Sequence, residues 1–213
     1  MLVVGLGNPG TRYARTPHNV GFRVLDRLAP TAHWSERFEG QLLVTQVDAE
    51  ELVLLKPLTF MNTSGKSVRK AMTFFKIPAQ STLVVHDELD LPLGAVKLKR
   101  GGREAGHHGL ESVSAELGSR DYLRLRVGVG KPESGVVADY LLAPFSDAAE
   151  AKLAGALSLA SDAVQLVVRQ GVDRAMNQVN RAVANGLGAS GPVADGLAAA
   201  DGVGAVGGSG RPD

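Results

Sequence analysis

Short apolar runs alternate along this chain with segments whose apolar residues recur every three to four positions. That alternation constrains the fold more than any other feature. Leu2–Leu6 and Thr82–Val85 read as buried strands, and Gln41–Gln46 and Leu52–Leu55 as strands joined by the acidic turn around Asp48. Val20, Val24, Leu25 and Leu28 share one helical face, which Thr16-Pro17 opens as N-cap and first helical position and Pro30 stops. Val68, Met72 and Phe75 mark a second helix over Ser64–Lys76, and Leu110, Val113 and Leu117 mark a third. Val96–Lys99 and Tyr122–Val129 alternate apolar with basic residues, as half-exposed strands do. Two helices near Ala148–Val168 and Val172–Ala184 complete the pattern. Strands interleaved with helices predict an α/β fold: a single-domain, three-layer sandwich with helices on both faces of a mixed, twisted sheet.

Composition narrows the chemistry. The chain of 213 residues has no cysteine, which removes disulfides, thiolate metal sites and a cysteine nucleophile. Its longest stretch without a charged residue, Ala182–Ala194, is shorter than the roughly 20 apolar residues of a bilayer-spanning helix. The opening MLVVGLGNPG lacks the basic flank and long apolar run of a secretory signal, so a cytoplasmic protein with no membrane partner is expected. The segment 186–213 is rich in glycine and alanine and has little to bury, so it reads as a flexible tail behind a catalytic domain over 1–185. A formal net charge of +1 means that any contact with nucleic acid must come from a local cluster of cations.

Several short constellations carry chemistry. Gly5-Leu-Gly7-Asn8-Pro9-Gly10 follows a strand and has the letters of a dinucleotide-binding loop. That loop works by aiming a helix N-terminus at a pyrophosphate, yet here the helix opens only near Pro17 and Asp26 lies inside it, which disfavours a nicotinamide enzyme. The glycines read instead as a sharp strand-exit turn that displays Asn8. His18 stands in the first turn of the following helix, where the positive end of the dipole favours a neutral, base-competent imidazole. His86-Asp87-Glu88-Leu89-Asp90 follows the strand Thr82–Val85. A carboxylate there can orient a histidine from another loop, although a solvated acidic turn has the same letters. These residues and the pair His107-His108 contain no ligand-spaced metal motif. No G-x-S-x-G elbow is present, so hydrolysis would use water activated by histidine. Lys97, Lys99 and Arg100 on one strand, Arg103 just past it, and Arg124 and Arg126 on another form a local basic set. It is a phosphate clamp if those strands are neighbours, and otherwise an exposed basic sheet face.

Four blocks in order resemble the bacterial-type peptidyl-tRNA hydrolases: Gly5–Gly10 with Tyr13 and Thr16-Pro-His18-Asn19; Lys56–Gly65; His86–Pro92; and Arg124–Gly130. Ala175-Met176-Asn177 with Asn180 resembles that family's usual end, so the likeness runs from about Leu2 to Asn180. It implies cleavage of the ester joining a peptide to the 3′ ribose of tRNA, by a monomer with no metal and no organic cofactor. It also implies that His18 is the general base and Asp87 its orienting carboxylate. Asn8 and Asn62 would hydrogen-bond the substrate near the ester, Tyr13 and Met61 would line the pocket, and Lys99 and Arg126 would hold the tRNA 5′ phosphate. One block departs: in Gly101–Leu110, His108 occupies the place of an active-site asparagine, whose amide offers a donor and acceptor pair that an imidazole does not reproduce. That departure raises an alternative, an RNA-binding protein on the same scaffold with reduced or lost hydrolysis.

Overall fold

The computed structural model describes residues 1–132 and 134–184, with side chains through Arg181. The expected tail 186–213 lies outside the described residues. Among the described residues seven strands form one sheet: β1 (Leu2–Gly5), β2 (Ser35–Arg37), β3 (Gly40–Val47), β4 (Glu50–Pro57), β5 (Thr82–Glu88), β6 (Val96–Arg100) and β7 (Leu123–Gly128). Their order is β2-β3-β4-β1-β5-β7-β6. The central β4, β1, β5 and β7 run parallel, and β3 on one side and β6 on the other are antiparallel to their neighbours.

Among the described residues six α-helices accompany the sheet: α1 (Val20–Leu28), α2 (Ser64–Phe75), α3 (His108–Leu117), α4 (Val137–Leu142), α5 (Asp147–Gln170) and α6 (Val172–Ala184). The pleat sorts them into two layers. Leu2 and Val4 point into a core with Val68 and Ala71 of α2 and Leu110 and Val113 of α3. Val3 points the other way, onto Val24, Leu25 and Leu28 of α1 and Leu153, Ala160 and Val164 of α5. This is the three-layer sandwich expected from the alternation of elements. By length and mean hydropathy α5 is long and apolar enough to cross a bilayer, but half of its apolar stretch is buried in this core.

Three differences from the sequence reading bear on the site. β5 does not stop at Val85 but runs through Glu88, because β7 lies alongside and pairs His86 with Arg126, Asp87 with Val127 and Glu88 with Gly128. His18 lies in a 3-10 turn, Pro17–Asn19, that leads into α1 rather than in α1 itself. Two short elements, β2 and α4, carry too few buried residues to show a period; β2 is exposed throughout.

Glycines set one close approach. A Cβ at Gly21 of α1 would collide with the Leu6 backbone and the Val85 carbonyl oxygen, so glycine lets α1 lie directly on β1 and β5. The loop Gly5–Gly10 runs into a further 3-10 turn, Thr11–Tyr13, and a Cβ at Gly7 would meet the Phe22 ring. Gly5 and Gly7 therefore serve the packing of α1 on the sheet, whereas Gly10 takes a positive φ of 106° with open space around it.

Candidate active site

A cleft of about 1180 Å³ opens at the carboxyl edge of the parallel strands, the edge where sheets of this kind place their sites. β5 delivers Asp87 into it. By alternation Asp87 shares the face of Leu83 and Val85, the face that α1 covers, so its carboxylate meets His18 on the turn before α1. His18 Nδ1 lies 2.9 Å from Asp87 Oδ1, across 69 positions of sequence. The loop before α3 adds His107, whose Nε2 lies 3.0 Å from the same oxygen.

The partners fix the protons. His107 caps α3: its Nδ1 accepts from the backbone N–H groups of Gly109 at 3.1 Å and Leu110 at 3.3 Å. That nitrogen therefore carries a lone pair, and the N–H at Nε2 donates to Asp87. His18 donates to Asp87 through Nδ1, which leaves its Nε2 as a free lone pair on a ring that lines the cleft. Burial by itself would push the Asp87 carboxyl up. The imidazoles of His107 and His18 outweigh this and hold it far below the usual carboxylate range, so Asp87 is an anion.

His86 completes the cluster. Its ring stands edge-on to His107 with centroids 5.1 Å apart, and its Nδ1–H donates to the Asp87 carbonyl oxygen at 2.7 Å. Burial first, and His107 second, push the His86 imidazolium down to about 3, so this ring is neutral. His18, Asp87 and His107 place potential metal-ligand atoms within 4.8 Å of one another. His18 Nδ1 and His107 Nε2 already donate to Asp87, so a cation bound at those two nitrogens would displace both protons.

The amides are held as firmly. Asn8 Oδ1 accepts the Met61 backbone N–H at 2.9 Å, and the Asn8 backbone exchanges two hydrogen bonds with the Asn19 side chain, at 2.9 and 3.0 Å. With its oxygen engaged, the Asn8 side chain has its NH₂ group left to donate. Met61 is buried in the wall, whereas Asn62 is exposed on the 3-10 turn Met61–Thr63 that opens α2. Both line the cleft, as does Tyr13. All six expected residues of the ester end are thus brought together.

Lys99 and Arg126 also line the cleft, on strands that are indeed neighbours: Lys99 pairs in register with Arg124, and Lys97 with Arg126. The basic set is not a uniform exposed face. Arg124 is buried, donating to the carbonyl oxygens of Gly102 and Arg103 at 2.7 Å each, and so pins the loop before α3. Arg126 Nε donates to Glu88 Oε2 at 2.8 Å. Lys99 is exposed and makes no ion pair among the described residues. His108, by contrast, is an exposed rim residue whose Nδ1 faces Glu111 Oε2 at 3.1 Å.

Sequence reasoning passed over His107, which it weighed only as a metal ligand, and Glu88. The signal for His107 was its place one residue before an apolar-periodic helix, where a side-chain acceptor is wanted.

Fold and cleft together define the class: an α/β sandwich enzyme with a histidine–carboxylate pair at the carboxyl edge of its sheet, amides beside it and cations beyond. The chain belongs to the peptidyl-tRNA hydrolase family, whose model matches residues 2–186. It is 46% identical to the peptidyl-tRNA hydrolase of Nocardia farcinica, over 84% of this chain and 95% of that one. The same figures hold for the Geotalea daltonii protein of that name. Among solved structures, the peptidyl-tRNA hydrolase of Acinetobacter baumannii superposes with a TM-score of 0.80 at 36% identity, over 84% of this chain and 93% of that one.

Proposed function

We propose that this chain hydrolyses the ester between a peptide and the 3′ ribose of tRNA, with His18 as the base that activates water. The His18 Nδ1 to Asp87 Oδ1 hydrogen bond of 2.9 Å carries the reading, because it leaves Nε2 free to act on the cleft. A water donates its proton to His18 Nε2 as its oxygen bonds to the ester carbonyl carbon. The imidazolium so formed is stabilised by the Asp87 anion. The carbonyl oxygen takes up the negative charge and is met by the Asn8 NH₂. As the carbon–oxygen bond to the ribose breaks, His18 returns its proton to the 3′ oxygen, releasing a peptide acid and tRNA. Asn62 hydrogen-bonds the substrate beside the ester, Tyr13 and Met61 bound the pocket, and Lys99 and Arg126 take the 5′ phosphate.

The chain is read as acting as a monomer, and the substrate implies the cytoplasm. Binding without hydrolysis is not favoured. His108, the departure that suggested it, makes no hydrogen bond to Asp87 among the described residues, and the His18–Asp87 pair is intact. Purified protein is expected to release peptide from N-acylated aminoacyl-tRNA. His18→Ala is expected to lose about 10²–10⁴-fold in kcat, the contribution of a general base, while tRNA affinity stays. Turnover near wild type in His18→Ala would remove the assignment.

A further inference from the structure

His107 reaches Asp87 from the end of a loop with an unusual backbone. Gly101, Gly102, Ala105 and Gly106 take positive φ, of 60°, 117°, 50° and 78°. Glycine adopts that region freely, whereas at Ala105 the Cβ crowds the following carbonyl oxygen. Ala105 and Gly106 are the central residues of a turn, closed by the His107 backbone N–H donating to the Glu104 carbonyl oxygen at 2.9 Å. Positive φ at both centres is the pattern of a type I′ turn. The turn delivers His107 to the cleft, and strain at Ala105 works against it.

The anchors come from the residues that lead into and begin β7. The Tyr122 carbonyl oxygen accepts the Gly101 N–H at 2.8 Å, and Arg124 holds the carbonyl oxygens of Gly102 and Arg103. These fasten only the first half of the loop. Ala105 and Gly106 have no side-chain hydrogen bond to give, so the turn depends on the side chains at its two ends. At one end is His107; at the other, Arg120 Nε donates to Glu104 Oε1 at 2.7 Å. The Glu104 side chain is 10% exposed against 65% for Arg120, so a carboxylate largely withdrawn from water is fastened to a surface arginine. That hydrogen bond holds the Glu104 carboxyl down to about 2, so it is an anion throughout the neutral range. Deprived of Arg120, the carboxylate would have to turn out to water and draw the turn with it.

We propose that Glu104 is a positioning residue for the hydrolysis: its ion pair with Arg120 latches the strained turn that presents the His107 N–H to Asp87. This rests on the reading of His18 and Asp87 as the pair that activates water. With the latch closed, His18 and His107 both donate to Asp87 Oδ1 and fix the carboxylate from two sides. With it open, Asp87 keeps one of those donors, its carboxylate rotates more freely, and His18 is less well aimed at the ester. The loss falls on kcat, because Asn8, Tyr13, Asn62, Lys99 and Arg126 are held by other contacts.

The test is a set of coupled substitutions with a spectroscopic arm. Glu104→Ala and Arg120→Ala are each expected to lower kcat about two- to fivefold, what an ion pair with one exposed partner is worth, with KM unchanged. The double variant is expected to be no worse than either single one. Ala105→Gly removes the strain and is expected to restore most of the kcat lost in Glu104→Ala. In a His107→Ala background, Glu104→Ala is expected to cost nothing further. In proton NMR, the His107 N–H resonance, assigned by its absence in His107→Ala, is expected to broaden in Glu104→Ala while that of His18 persists. The inference is overturned if both single variants keep the wild-type kcat and His107 resonance, or if the loss appears in KM alone. It is equally overturned if Glu104→Ala costs as much without His107 as with it. Absence of turnover in wild type would refute the hydrolysis reading instead, and the His107 resonance tells that outcome from a failed latch.

Discussion

Asp87 is asked to do two things with one oxygen. Oδ1 takes the N–H of His18 and the N–H of His107, while the Asp87 main chain accepts from His86. This concentration of imidazoles predicts acid sensitivity, and the sign is the same for both shifted groups. His86 has its folded value lowered to about 3, so from about pH 6.5 down to about 3 the unfolded chain binds the extra proton and stability falls as pH falls. Asp87 is depressed by its imidazole neighbours, so its contribution is present above the ordinary carboxylate range near pH 4 and is lost progressively below it. Urea midpoints measured between pH 7 and 4 are expected to drop steadily. His86→Gln, which keeps a donor for the Asp87 carbonyl and does not titrate, is expected to flatten the slope between pH 6.5 and 4. The gain is at most about 1.4 kcal/mol per pH unit. At this scale His18, Asp87, Asn8, Asn62, Tyr13 and Met61 were legible because their motif blocks preserve residue type and order. His107 was not, because its role is to cap α3 and hold a carboxylate 20 positions away, and neither partner is written beside it.

Among the elements, α1 and β5 decide whether the pair forms at all. The turn that carries His18 is fastened to the sheet by α1, and α1 can reach β1 and β5 only because Gly21 has no side chain. Gly21→Ala would force the helix outward against backbone atoms, an overpacking that costs about 1–3 kcal/mol or more. The expected outcome is a lower denaturation midpoint together with a loss of kcat, since displacing α1 lengthens the contact between His18 and Asp87. A midpoint and kcat both equal to wild type would mean that α1 does not position His18. Strand and helix positions were largely readable from periodicity, down to the turn at Asp48, whose backbone takes a positive φ of 56° between β3 and β4. The run of β5 past Val85 was not, because its last residues are polar and only pairing with β7 extends the strand. Arg124, which the alternating pattern left open between a phosphate clamp and an exposed basic face, is buried and donates to the carbonyl oxygens of Gly102 and Arg103.

For the molecule as a whole, residues of β5, β6 and β7 and of the loops after β1, β4 and β6 are gathered into one cleft that holds imidazoles, amides and cations together. The family match ends at residue 186, and the described helices end at Ala184. We expect residues 1–186 alone to fold and to hydrolyse peptidyl-tRNA with kcat/KM and Tm close to those of the full chain. A large loss of either on truncation would place part of the function in 187–213. By itself the sequence determined the three-layer α/β class, since the periods of two and of three to four are properties of the local chain. It also determined which residue types stand in the motif blocks. Only the tertiary structure decided that His107 joins His18 on a single oxygen of Asp87, and that Arg126 faces the cleft with Glu88 already at its back. Such partnerships depend on strand order and register, which no local stretch of chain encodes, because they arise where segments distant in sequence are packed side by side.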